Sequence, residues 1–278
     1  MLPLPNFLIV GAQKCGTTSL HDILTEHPEA GMSDVKEINF FTFEKKFKKG
    51  LDYYSTFFRG IDENAIAIGE SSPGYICTPR VAERIHKKLG KIKIVIILRD
   101  PIKRAFSQYW DNRRHLNEYM TEVEIVSNYL EANYKPGRRG YFSRGVYAHQ
   151  VEKYFKLFGK ENVHVMILEE LIKSQNKTLQ ELYSFLGLNI QKGLQKLPPP
   201  SNSSQVWTNS LYNFFLNNPG FVKYLPKRGK RILLFGGKQS IDYTLPNERI
   251  IEELKNFYRP FNQELSELIE NPLKDWRR

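Results

Sequence analysis

Apolar positions in this chain follow two patterns, and their alternation sets the expected fold. Short unbroken runs predict buried strands. These are Phe7-Leu8-Ile9-Val10, closed by Gly11; Ala65-Ile66-Ala67-Ile68, closed by Gly69; Lys93 to Leu98; and Val163 to Leu168. Between them, apolar residues recur at helical spacing. Leu20, Ile23 and Leu24 predict a helix over Thr17–Glu26. Val81, Ile85 and Leu89 predict one over Thr78–Leu89, with Thr78 as N-cap and Pro79 in the first turn. Further helices are expected over Ile102–Arg114 behind Pro101, Gly145–Phe158, Thr178–Leu186 and Asn247–Ile269 behind Pro246. Strands apolar throughout suit a sheet covered on both faces. Their alternation with helices predicts an α/β fold, a single domain with a central parallel sheet flanked by helices.

Other segments are less regular. Glu118–Lys135 is a mostly polar helical stretch, Pro136–Gly140 a loop, and Leu197–Ser204 a proline-rich linker. No internal repeat is present. The pattern favours one domain over residues 1–278, with a loop-rich C-terminal third at about residues 190–246.

Charge narrows the partners. Over 278 residues, 41 basic and 30 acidic side chains give a net charge of +11. Such a surplus favours an anionic partner, or is simply a solvated basic surface. The cysteines are Cys15 and Cys77, which make neither a disulfide framework nor a metal cluster and fit a reducing compartment. Met1–Asn6 lacks the basic region of a secretion signal, and no stretch has the length of a bilayer span. The expectation is a soluble cytoplasmic protein without a membrane partner.

The first strand runs into Gly11-Ala12-Gln13-Lys14-Cys15-Gly16-Thr17-Thr18-Ser19 and then a helix. Strand, tight loop and helix N-terminus together make an anion site, because first-turn N–H groups have no intrahelical partner and the helix dipole favours negative charge there. Gly16 permits close backbone approach, Thr17, Thr18 and Ser19 add hydroxyls, and Lys14 adds charge. A Walker loop requires lysine directly after the second glycine. Here Thr17 holds that place and the lysine precedes Gly16. The alternative is a glycine turn capped by threonines.

A second cluster, Arg99-Asp100-Pro101-Ile102-Lys103-Arg104-Ala105-Phe106-Ser107, leaves the strongest strand, where ligands of open parallel sheets bind. Arg99 offers a planar fork for phosphate and Ser107 a hydroxyl about two turns into the helix. Read alone, Arg-Asp-Pro is equally a structural cap. The third segment is Lys36-Glu37-Ile38-Asn39-Phe40-Phe41. A carboxylate desolvated by aromatic rings gains basicity and suits a general base. Taken alone, a Lys-Glu pair on a loop is more often solvated charge.

Together these segments resemble the PAPS-dependent sulfotransferases (PAPS is 3′-phosphoadenosine 5′-phosphosulfate), nearest the heparan-sulfate-type branch and its bacterial small-molecule relatives. The family's Gly-x-x-Lys-x-Gly-Thr loop, Lys-Glu-x-x-Phe-Phe segment and Arg-[Asp/Asn]-Pro-x-x-Arg segment match Gly11–Ser19, Lys36–Phe41 and Arg99–Ser107. Gly145-Val146-Tyr147, Phe257–Asn262 and Trp276 add support. The resemblance implies a P-loop-like sulfotransferase fold, PAPS as donor with PAP as product, and no metal. It implies that Lys14, Cys15, Gly16, Thr17, Thr18 and Ser19 hold the 5′-phosphosulfate, that Arg99 and Ser107 hold the 3′-phosphate, that Tyr147 or its neighbours frame the adenine, and that Lys14 and Glu37 are catalytic.

The chain departs from the family in three places. Ser71 of Glu70-Ser71-Ser72-Pro73 stands where relatives carry a lysine, and Asn39 where some carry a histidine. The C-terminal donor loop has no clean match, with Lys238 or Lys227–Arg231 as substitutes. The acceptor is expected to be a small molecule or glycan. Phe40, Phe41, Tyr75, Tyr109 and Trp110 are candidates to line its pocket, although aromatics are more often core. His21 reads as structural. Two rivals remain: a P-loop kinase or NTPase, and a non-enzymatic polyanion binder using the aromatic and basic stretch Tyr129–Tyr141. Against the second, no nucleic-acid-binding signature appears. The oligomeric state is unreadable.

Overall fold

The computed structural model describes residues 2–131, 140–193, 205–207, 209–224, 226, 238–240 and 246–276. Five strands form one parallel sheet in the order β2-β3-β1-β4-β5. They are β1 (Phe7–Gly11), β2 (Ala30–Met32), β3 (Ala67–Ser71), β4 (Lys93–Leu98) and β5 (Val163–Ile167). β1 and β4 are buried over almost their whole length, as their unbroken apolar runs require. Their register pairs Phe7 with Lys93 and Gly11 with Ile96, with a shift between Ile9 and Gly11.

Helices α1 (Thr17–Thr25), α4 (Val81–Leu89), α7 (Ala148–Phe158) and α9 (Gln175–Leu186) flank this sheet. The short helices α2 (Glu44–Phe47), α3 (Gly50–Ser55) and α8 (Leu168–Lys173) lie in its connections. Sheet and helices close over one cluster of buried residues reaching from Phe7 to Trp276. Among the described residues, no helix is long and apolar enough to cross a membrane.

The chain divides into two compact units. The sheet belongs to the first, made of Met1–Asp100, Tyr147–Ser201 and Phe261–Arg278. The second comprises Pro101–Val146 and Asn202–Pro260. It contains α5 (Pro101–Arg114), α6 (Glu122–Glu131), α10 (Ser210–Asn217) and an antiparallel pair, β6 (Gln205–Trp207) with β7 (Lys238–Ser240). Two buried arginines on α5 serve as braces. Arg104 donates to Gln108 at 2.8 Å and to the Tyr141 carbonyl, and Arg113 donates to Tyr109 at 3.3 Å and to the Leu216 carbonyl. These contacts engage both outer nitrogens of each buried guanidinium, while the Arg104 Nε has no hydrogen-bond partner. Much of the expected loop-rich stretch at 190–246 lies outside the described residues.

Several boundaries differ from the sequence reading. β3 begins at Ala67, two residues later than expected, and continues through the polar Glu70 and Ser71. Ile66 is exposed, so the apolar run there marks the approach to the strand. Thr78 does not cap α4: Arg80 holds the cap position, and the Thr78 hydroxyl donates to the Gly74 carbonyl at 2.7 Å. α7 starts at Ala148, behind a 3-10 turn over Ser143–Gly145.

His164 on β5 stacks on Phe185 with ring centres 5.1 Å apart, and its Nε2 has no hydrogen-bond partner. Burial alone lowers its pKa from 6.5 to about 4. A base held neutral in the fold contributes stability that is intact above the unfolded pKa and is lost as pH falls toward the folded one. Between pH 7 and pH 5 this amounts to about 2 kcal/mol. Urea unfolding at the two pH values should show that His164→Leu loses less stability on acidification than the parent, by about that amount. Equal losses would contradict it.

Candidate active site

The strand order fixes where a ligand can enter. From β1 the chain leaves toward β2 on one side, and from β4 it continues toward β5 on the other. Such a reversal opens a crevice at the carboxyl ends of the adjacent strands, β1 and β4. The Gly11–Gly16 loop and Arg99 both emerge there.

The loop is tightly turned. The Ala12 N–H donates to the Ile97 carbonyl at 2.7 Å, tying the loop to β4, and the Cys15 N–H donates back to Ala12 at 3.2 Å. Lys14 and Gly16 take positive φ angles of 70° and 88°. Gly16 is the N-cap of α1 and offers no side-chain cap, so the first-turn N–H groups are left for a ligand. A Cβ on Gly16 would stand 2.8 Å from Leu168 Cδ1, the end of a side chain that can shift, so it is the positive φ that demands glycine. The Arg99 Nη1 donates to the Lys14 carbonyl at 3.4 Å, which brings the two segments together. An anionic nucleotide fits this arrangement of an uncapped helix start, a lysine and an arginine.

Three side chains set the backbone of Arg99 and Asp100. The Tyr147 hydroxyl donates to the Arg99 carbonyl at 3.0 Å. The Asp100 N–H donates to Glu169 Oε1 at 3.2 Å, and the Trp276 indole donates to Glu169 Oε2 at 3.2 Å. Tyr147 is buried against Trp276, with ring centres 5.9 Å apart. In this structure it braces Arg99 from the core, and its ring is not exposed as framing an adenine would require. Cys15 is also buried, its Sγ 3.8 Å from the Tyr147 hydroxyl, so only its backbone is available to a ligand. Thr17 is buried, while Thr18 and Ser19 are partly exposed. Ser107 lies on α5 in the second unit.

Glu37 stands on the segment after β2. Its N–H donates to the Ser71 carbonyl at 2.9 Å, at the carboxyl end of β3. Its side chain is exposed, so the desolvation expected from Phe40 and Phe41 is absent. Both rings instead point into the core. Phe40 stacks on Tyr54 at 4.4 Å, and Phe41 packs edge-on against Tyr54 and Tyr75. Tyr75 and Tyr109 are likewise fully buried. Phe40, Phe41, Tyr75 and Tyr109 are therefore core residues and not pocket walls, whereas Trp110, in the second unit, is partly exposed.

Lys36 is half-buried, and burial lowers its pKa, opposed by Asp22 and Glu37. His21 is buried on α1 with its pKa lowered by burial and by Lys36, which fits a structural residue. Lys227–Arg231 lie outside the described residues, as does the Lys238 side chain.

Sequence reasoning missed Glu70. This carboxylate is wholly buried and accepts hydrogen bonds from Ser72 at 2.6 Å, Tyr75 at 2.8 Å and Tyr54 at 3.0 Å. Burial raises its pKa and the three hydroxyls oppose the rise. Beside it, the buried Ser71 Oγ has no hydrogen-bond partner.

Residues 4–219 match the family model described as a sulfotransferase domain. The chain is 29% identical over 273 residues to human heparan sulfate glucosamine 3-O-sulfotransferase 5, covering 95% of this chain and 72% of that protein. It superposes on the crystal structure of a sulfotransferase from Alicyclobacillus acidocaldarius with a TM-score of 0.72 and 27% identity, over 99% of this chain and 100% of the other. Mouse sulfotransferase SULT7A1, solved in complex with PAP, shares the fold at 16% identity and a TM-score of 0.51, over 95% of this chain and 86% of the other.

The loop geometry predicts that Gly16→Ala costs about 1 kcal/mol or more in equilibrium unfolding, through the positive φ. An unchanged midpoint would mean that the turn is not held as described.

Proposed function

This chain belongs to the sulfotransferase domain family, and we propose that its donor is PAPS and its acceptor a hydroxyl or amine of a glycan or small molecule. The observation that carries this reading is the meeting of the Lys14 loop with Arg99 at the β1–β4 crevice. PAPS has anionic groups at two ends and needs two such grips on one side of a sheet. A Mg-dependent NTPase is disfavoured by Thr17 in the place of the Walker lysine.

Bound PAPS would supply an activated sulfuryl group with PAP as its leaving part. On the protein side, the N-terminus of α1 binds the 5′-phosphate oxygens through its uncapped N–H groups. Lys14 neutralises the charge that grows on the bridging oxygen as the bond to sulfur breaks. Arg99 holds the 3′-phosphate through its planar fork. Glu37 removes the proton of the attacking hydroxyl or amine, and its exposure leaves it open to an incoming acceptor. Positioning and charge thus do most of the catalysis, as in phosphoryl transfer.

Two of the three family departures, Asn39 and Ser71, read differently in three dimensions. The Asn39 side-chain amide donates to the Glu37 carbonyl at 2.9 Å, so Asn39 braces the backbone of the base and takes no proton. Ser71 is too short to replace a lysine and carries no charge, which leaves Lys14 as the cation assigned to the sulfuryl end. For the acceptor, the net charge of +11 and the heparan sulfate named for the human relative both support an anionic saccharide.

Calorimetry and transfer assays with labelled PAPS test the assignment. Lys14→Ala should weaken PAP binding by about tenfold or more, the loss of one charge-assisted contact. Glu37→Gln should bind PAP as the parent does and lose transfer by roughly 100- to 10,000-fold. Retained turnover in Glu37→Gln would place the base elsewhere. Preference for Mg·ATP over PAP would overturn the donor.

A further inference from the structure

Glu70 has no place in the transfer chemistry, yet it is the most completely buried carboxylate among the described residues. An ionisable group out of water is costly and persists when something depends on it. What depends on it is visible in its partners. Ser72, Tyr75 and Tyr54 all direct their hydroxyl protons at Glu70. With those protons committed, the hydroxyl lone pairs turn outward, and two of them meet the segment that carries Glu37. The Asn39 N–H donates to Ser72 Oγ at 3.0 Å, and the Phe41 N–H donates to Tyr75 Oη at 3.4 Å. The third, Tyr54, stacks its ring on Phe40.

The segment needs such support. Glu37 and Asn39 both adopt positive φ, 56° and 53°, a conformation costing non-glycine residues about 1–3 kcal/mol each when surroundings enforce it. Backbone ties at each end complete the hold: Glu37 to Ser71, Lys46 to the Ile38 carbonyl at 2.5 Å, and Arg84 to the Phe41 carbonyl at 2.9 Å. Of these ties, the two through hydroxyls depend on which way a proton points, and Glu70 sets that direction.

We infer that Glu70 is a positioning residue, whose buried carboxylate orients Ser72 and Tyr75 so that they fix the loop holding Glu37. The inference rests on the reading of Glu37 as the base. An isosteric glutamine shows how specific the device is. Its oxygen can still accept from Tyr54 and Tyr75, but its amide nitrogen faces Ser72 and donates where Oε2 accepted. The Ser72 proton must then point elsewhere and compete with the Asn39 N–H.

Steady-state kinetics on Glu70→Gln, Ser72→Ala and Glu37→Gln, singly and with Glu37→Gln combined with each of the others, tests this. Glu70→Gln should lower kcat by about 10- to 100-fold, the scale of a small misplacement of a catalytic group. KM for the acceptor and the affinity for PAP should stay within about twofold, because the phosphate loop is held by other contacts. In the Glu37→Gln background the same change should alter the residual rate by less than about twofold, since a group acting through Glu37 has nothing left to position. Ser72→Ala, which cuts only the link to Asn39, should show the same pattern and serves if Glu70→Gln does not fold. Parent-like kcat in the folded variants, a parallel loss of PAP affinity, or additive losses with Glu37→Gln would overturn the inference. Full turnover in Glu37→Gln removes the base assignment and this inference together. Full turnover in Glu70→Gln beside an inactive Glu37→Gln removes the inference alone.

Discussion

Parallel strands whose connections leave in opposite directions cannot close over their own carboxyl ends, and here that constraint falls between β1 and β4. The loop after β1 turns sharply at Gly16 to start α1, and the chain after β4 carries Arg99 past it. Neither segment is sufficient alone. A helix N-terminus attracts any anion, and an arginine at a strand end is commonly a brace. Their meeting across one strand pair is the observation on which the proposed donor site rests.

The surroundings of the crevice are stiff on both sides, by different means. On the Arg99 side, Tyr147 and Glu169, the latter held by Trp276, fix both sides of the peptide group that joins Arg99 to Asp100. On the Glu37 side, a buried carboxylate orders hydroxyls that in turn hold the backbone N–H groups of a strained segment. In both cases the main chain around the residue is held by buried side chains. That is the economical design for in-line transfer, where rate depends on alignment more than on new chemistry.

The sequence made some of this legible and hid the rest for physical reasons. β4 was read to the residue because Ile94–Leu98 is apolar without a break and buried on both faces. The turn between β1 and α1 is legible because Gly11 and Gly16 bracket it between an apolar run and a helical stripe. β2 was missed, since Ala30-Gly31-Met32 is too short for a pattern. β3 was placed two residues early because its last residues, Glu70 and Ser71, are polar and yet buried. Phe40 and Phe41 read in the sequence as pocket walls, and their packing against Tyr54, one stacked and one edge-on, draws them into the core. Glu70 left no trace, because its partners include Tyr54, sixteen residues away, and a lone carboxylate in a strand carries no periodic signal.

The central claim is that one doubly anionic nucleotide bridges Lys14 and Arg99. A crystal structure of the chain with PAP tests it most directly. The account predicts the 5′-phosphate at the start of α1 beside Lys14 and the 3′-phosphate on the Arg99 guanidinium. Nucleotide density elsewhere, or Lys14 and Arg99 on separate ligands, would contradict it.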